Sequence, residues 1–88
     1  MSLELSRPLA FIDIESTGTS PARDRVVEIA VLKLFPDGSE AFRVKRANPG
    51  IPIPPEATAI HGITGADVAA APPFAAYARG IYEFLNDC

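Results

Sequence analysis

The sequence predicts an α/β unit, a three-stranded sheet followed by a helix, and three observations predict it. Two apolar segments of strand length, around Phe11-Ile12-Asp13-Ile14 and Val26-Val27-Glu28-Ile29-Ala30-Val31-Leu32, are followed by a third that alternates, Phe42-Arg43-Val44-Lys45. Residues 48–55 then carry four prolines, which remove backbone donors and hold the chain extended. Beyond them, Phe74, Tyr77, Ala78, Ile81, Tyr82 and Leu85 recur at helical spacing on one face.

Each element follows in order. Residues 3–7 form a lead-in, and Pro8 is tolerated at the first position of a strand covering residues 9–15. Ser20, Pro21 and Asp24 mark residues 19–24 as a surface loop. The second strand, residues 25–35, is apolar on both faces, which predicts a central strand covered on both sides. Pro36-Asp37-Gly38 is turn chemistry. The third strand, residues 40–46, puts Phe42 and Val44 on one face and Arg43 and Lys45 on the other, as an edge strand with one wet face would. Lys33, Arg43, Lys45 and Arg46 are read as a solvated face and not as a nucleic-acid track. The proline-rich connector is anchored by its isoleucines. A helical turn over residues 56–60 is stopped by Gly62 in the left-handed region. Thr64-Gly65-Ala66-Asp67 is an N-capping pattern, and the last helix covers residues 73–86, with Pro73 in its first turn.

Two carboxylates stand out. Alternation along the first strand places Leu9, Phe11, Asp13 and Glu15 on one side, so Asp13 and Glu15 lie roughly 6–7 Å apart at the strand's end. Two like charges on a strand that reads as buried repel and lose hydration, and a hard divalent cation offsets both costs. The alternative is a solvated rim with Thr17-Gly18 as an ordinary turn. Glu28, inside the second strand, is assigned a structural role, either solvated at an edge or hydrogen-bonded near a metal site.

Composition narrows the classes. A length of 88 residues allows one domain, and 48% hydrophobic with 22% charged residues is globular. A net charge of −3 argues against a simple basic nucleic-acid binder. No apolar run approaches the ~20 residues of a membrane span, so no membrane partner is expected. The single cysteine, Cys88, cannot form an internal disulfide, which fits a cytoplasmic protein.

Phe11-Ile12-Asp13-Ile14-Glu15-Ser16-Thr17-Gly18, followed by Arg25-Val26-Val27-Glu28-Ile29-Ala30, resembles the first exonuclease motif of the DEDD 3′–5′ exonucleases, with the epsilon-type (DnaQ-like) proofreading subunits of DNA polymerase III the nearest in kind. Ile60-His61-Gly62-Ile63-Thr64 resembles the segment those proteins carry after their third strand. The resemblance implies a ribonuclease-H-like fold, of which residues 1–88 would be the N-terminal part of one exonuclease domain. It implies removal of nucleoside monophosphates from DNA 3′ ends with two divalent ions, Mg²⁺ or Mn²⁺. Asp13 would bridge both ions and Glu15 would hold the one that activates water, making them the catalytic and metal-binding residues. Thr17, Gly18 and His61 would contact the 3′-terminal nucleotide. For Thr17, satisfying the turn's own backbone is an equal reading. For His61, a packed or surface role is the alternative, and a general-base role is not expected.

The family uses four carboxylates and a later histidine, and this chain carries only the first two carboxylates. By itself it is therefore expected to be inactive. Single-stranded DNA 3′ ends are the expected partner, with polymerase subunits as further partners the likeness allows. RNA is an open alternative, since nothing in these residues reports on a 2′-hydroxyl. So is a non-catalytic interaction domain. The family's strand order, 3-2-1-4-5, would leave the first strand as an open edge here, through which the chain is expected to self-associate.

Overall fold

The structure, a computed structural model, describes residues 4–20 and 22–88. Leu3 of the lead-in and Pro21 of the loop lie outside them. Strands β1 (Leu9–Ser16), β2 (Val26–Leu34) and β3 (Glu40–Arg46) form an antiparallel sheet in the order β1-β2-β3. Three helices follow, α1 (Pro55–His61), α2 (Gly65–Val68) and α3 (Ala75–Leu85). Ile12 pairs with Val31 and Val31 with Arg43, which fixes the faces: Ile12, Ile14, Ile29, Val31, Lys33, Arg43 and Lys45 on one side, Phe11, Asp13, Glu15, Glu28, Leu32, Phe42 and Val44 on the other.

Local chemistry behaves as the sequence predicts at several points. Between β2 and β3, Gly38 turns at φ 87°, and the Asp37 carboxylate accepts from Ser39 N–H at 2.9 Å. Gly62 ends α1 at φ 75°, donating its N–H to Thr58 O. Thr64 and Asp67 form a reciprocal capping box at α2. The connector between β3 and α1 has no regular structure, and its Ile53 packs against Val27, Ile63 and Val68, the small core at one end of the sheet.

Coverage of the sheet departs from expectation. Only one face is covered: Val27, Ile29, Val31 and Lys33 of β2 are buried, while Leu32 and Leu34 on the opposite face are only partly so. The doubly apolar strand therefore has a helix on one side alone. β1 is not buried either. It is an edge strand, with Phe11, Ile12 and Ile14 each about half exposed (53%, 50% and 52%).

Strand β3 is exposed on both faces: Arg43, Lys45 and Arg46 are exposed as expected, but so are Phe42 and Val44. Its charged face lies toward α3, with the Arg43 guanidinium 4.9 Å from the Phe84 ring centre and Lys45 Nζ 5.7 Å from that of Tyr77, while Phe42 and Val44 are exposed. Cations laid on aromatic rings cover a helix as well as aliphatic groups do, because the stems are apolar and the ring faces attract charge. Helix α3 begins at Ala75, two residues after Pro73, and faces the sheet with Tyr77, Ile81, Phe84 and Leu85, while Ala78 and Tyr82 point to solvent.

Lys33 is buried, at 5% exposure, and not part of a solvated face. Its ammonium donates to Phe84 O at 2.7 Å, pairs with Asp87, and lies 4.9 Å from the Phe84 ring centre. A buried charge persists only when so satisfied. The hydrogen bond from Lys33 holds the Asp87 carboxyl below its ordinary value of 3.8. A carboxyl lowered on folding adds stability above its ordinary value and loses it as pH falls through the lowered one. Acidification from pH ~5 to pH ~2 should therefore lower the melting temperature. The fall should be smaller in Asp87→Asn, measured by circular dichroism. Equal falls would show that the Lys33–Asp87 pair contributes nothing.

Candidate active site

Asp13 and Glu15 share the uncovered face at the end of β1, opposite Ala30 and Glu28 of β2. Asp13 is exposed and Glu15 partly buried. Glu28 brings a third carboxylate to this face, and Arg46 answers it across the next pair of strands at 3.8 Å. Among the described residues no cation pairs with Asp13 or Glu15. The one nearby arginine with a carboxylate partner is thus engaged with Glu28, and the two residues at the strand's end keep their charge unanswered.

Beyond Glu15 the strand pairing shifts register, and the chain enters a turn. A cleft of about 310 Å³ opens here, lined by Ile14, Glu15 and residues 16–19 on one side and by Glu56, Ala57, Ile60 and His61 of α1 on the other. Glu15, Thr17, Gly18 and His61 therefore meet in one cleft. Asp13 stands two residues back along the strand and is not part of its lining. Ile60 is 85% exposed, an apolar side chain held open to this cleft. Glu56 does not stand out in the sequence, and Ile60 does so only as part of the segment around His61. Their place follows from α1 crossing the end of β1, which no local pattern encodes.

His61 ties the two walls together. Its Nδ1 accepts from Ile63 N–H at 3.0 Å, so that nitrogen carries no proton. Nε2 is then the protonated nitrogen, and it donates to Ser16 O at 3.1 Å. Thr17 is buried at 2% exposure; its hydroxyl donates to Asp24 at 2.9 Å and accepts from Arg25 N–H at 3.0 Å. The turn engages this side chain on both counts, its donor by the Asp24 carboxylate and an acceptor site by the Arg25 backbone. Asp24, read from sequence only as part of a surface loop, also accepts from Ser20 N–H at 2.7 Å.

A hard divalent ion asks for oxygen ligands at short range, commonly one or two carboxylates with water and substrate phosphate completing the shell. The oxygens of Asp13 and Glu15 fit that requirement in kind, and their unanswered charge fits it electrostatically. In number they make part of a site: among the described residues, no three His, Cys, Asp or Glu side chains converge to hold an ion. Among the same residues, no helix is long and apolar enough to cross a membrane.

The chain is similar to known nucleases over most of its length. The family RNase_T, described as Exonuclease, matches residues 10–88. A DNA polymerase III subunit epsilon-like protein of Rhodobacter capsulatus is 41% identical over 77 residues, 84% of this chain and 11% of the relative. Exonuclease X, solved with 5′ overhanging duplex DNA, superposes with a TM-score of 0.71 at 34% identity, covering 83% of this chain and 42% of that one. E. coli exonuclease I, solved with a dT13 oligonucleotide, superposes with a TM-score of 0.74 at 28% identity, covering 88% of this chain and 18% of that one. The chain thus spans a minor part of each of these relatives. Its three antiparallel strands and following helices are those of the ribonuclease-H-like exonuclease fold.

Proposed function

Because the chain belongs to the exonuclease family, we propose that it is the N-terminal part of a single metal-dependent 3′–5′ exonuclease domain acting on DNA in the cytoplasm. The observation that carries this reading is the pair Asp13 and Glu15, unanswered by any cation, at the strand end beside a cleft. Relatives solved with a dT13 oligonucleotide and with an overhanging duplex support DNA as the substrate. The epsilon-like relative supports polymerase association.

Asp13 and Glu15 would hold two divalent ions, Mg²⁺ or Mn²⁺, in part, and further ligands would come from the remainder of the domain. When bound, such ions generate a hydroxide nucleophile and offset the charge that builds on entering and leaving oxygens. The chain's own residues do the rest that belongs to this half. Glu28 is paired with Arg46, which leaves Asp13 and Glu15 as the open donors. Ala57 and Ile60 supply an apolar wall for the terminal sugar and base. His61 holds Ser16 O with one nitrogen and Ile63 N–H with the other, so both ring nitrogens are engaged with backbone at the wall of the cleft.

The test is a nuclease assay on the full-length protein with single-stranded DNA labelled at one end. Loss of a 3′ label as mononucleotide from the first time point, with the 5′ label shortening stepwise and EDTA stopping both, is the expected result. Digestion from the 5′ end, internal cuts, or no digestion with Mg²⁺ or Mn²⁺ would refute the reading.

A further inference from the structure

We infer that Asp24 is the positioning residue of the cleft, and that Gly18 is a glycine for the sake of Asp24 and not of a bound nucleotide. The inference rests on the nuclease reading only for what the loop does to substrate; the contacts themselves stand without it. Asp24 reaches back seven residues and takes three roles at once. Its Oδ1 accepts from the Thr17 hydroxyl at 2.9 Å, and its Oδ2 accepts from Ser20 N–H at 2.7 Å. Its own N–H donates to Ser20 O at 2.8 Å. Both carboxylate oxygens are thereby committed to the loop that walls the cleft.

Gly18 lies against this carboxylate. A Cβ there would sit 2.6 Å from Asp24 Oδ2 and 2.8 Å from its Cγ, closer than such atoms approach one another. The side chain of Asp24 could not swing away to make room without giving up the bonds to Thr17 and Ser20. Asp24 is not itself among the residues lining the cleft, whereas Thr17, Gly18 and Thr19 are. It acts on the cleft from behind, through their backbone.

The opposite flank has bonds of its own and shares the Thr17 hydroxyl with Asp24. Thr17 N–H donates to Arg25 O at 3.0 Å, Arg25 N–H donates to the Thr17 hydroxyl at 3.0 Å, and His61 holds Ser16 O. The turn after β1 is therefore held by His61 before it and by Asp24 behind it. With its hydroxyl donating to Asp24, Thr17 has no side-chain donor left for a ligand. What the loop offers a substrate is the backbone of residues 17–19, in the place that Asp24 sets.

A double-mutant cycle on the full-length protein tests this, with Gly18→Ala, Asp24→Ala and the double variant compared in melting temperature and in KM and kcat on a single-stranded oligonucleotide. Asp24→Ala should raise KM roughly tenfold while kcat changes by less than about threefold, because the loop is displaced and the strand bearing Asp13 and Glu15 is not. Asp24→Asn keeps one carboxamide acceptor and should recover part of the loss. In melting temperature the double variant should lose less than the sum of the two single losses, because the carboxylate atoms that the added methyl group would strike are gone. Additive losses, or an unchanged KM in Asp24→Ala, would overturn the inference. An inactive wild type would overturn the nuclease reading instead, and the melting cycle alone would then decide whether Asp24 holds the loop.

Discussion

Asp13→Ala in the full-length protein should abolish exonuclease activity, a fall of at least about a hundred- to a thousandfold, the range for losing one group that stabilises charge in the transition state. The side chain is exposed on an edge strand and has no hydrogen-bond partner among the described residues, so its removal takes nothing from the packing. Glu15 shares its face, with Glu28 across the strand, so deleting one charge relieves repulsion in the metal-free protein. Asp13→Asn should accordingly leave the melting temperature unchanged or slightly higher while being equally inactive. That separation of stability from activity is what a metal ligand gives and a structural carboxylate does not. The 88-residue chain should bind Mn²⁺ weakly in calorimetry, and Asp13→Ala/Glu15→Ala should remove that heat. The same short chain should not digest single-stranded DNA if, as proposed, it supplies only two ligands of a larger set. EDTA-sensitive activity surviving in Asp13→Ala, or digestion by the short chain, would show that the chemistry lies elsewhere.

What could be read from the sequence was whatever local spacing decides. Alternation placed Asp13 and Glu15 on one face, Asp37-Gly38 marked the hairpin, Gly62 the end of α1, and Thr64 with Asp67 the capping box. Each depends on residues within a few positions of one another. Contacts that depend on which face a distant element covers were not readable. A strand apolar on both faces says that both can be buried; it does not say that a helix is supplied for each. In β3 the charged residues stay exposed while their face lies beside the Phe84 and Tyr77 rings, and the apolar Phe42 and Val44 find no cover on the other face. Lys33 breaks the usual rule of charged residues outward, with Asp87 and Phe84 O arriving from the end of α3, more than fifty residues away. Asp24 looked like loop solvation because its partners Thr17 and Ser20 lie back across the turn. The pattern Thr-Gly followed six residues later by Asp was visible, but only the folded turn gives it meaning.

The 88-residue chain alone should self-associate through β1, and the full-length protein should not. β1 pairs with β2 on one side only, so half of its backbone donors and acceptors face outward along residues 9–16. Edges of this kind are normally protected by charged side chains, lysine above all, by proline or by a bulge within the strand. Here residues 9–14 carry no lysine, proline or bulge and a single charge, Asp13, while Phe11, Ile12 and Ile14 present half-exposed apolar side chains on both faces. Antiparallel pairing with a second copy, centred on Ile12, would set Phe11 opposite the copy's Asp13 and Leu9 opposite its Glu15. No carboxylates would face one another, so repulsion does not forbid that register. In that register the row Phe42, Leu32, Phe11 meets the copy's Asp13, so the pairing is driven chiefly by satisfying the open backbone donors and acceptors of β1. Light scattering on the short chain should give a mass above 9.4 kDa that rises with concentration. Ile12→Lys should return it to monomer with little loss of packing, since Ile12 is half exposed already. If the chain is, as proposed, the N-terminal part of an exonuclease domain, a further strand would occupy the same edge in the full-length protein, and Ile12→Lys should there destabilise the fold instead of dispersing it. A short chain that stays at 9.4 kDa at every concentration and melts cooperatively would show the β1 edge to be protected without any partner strand.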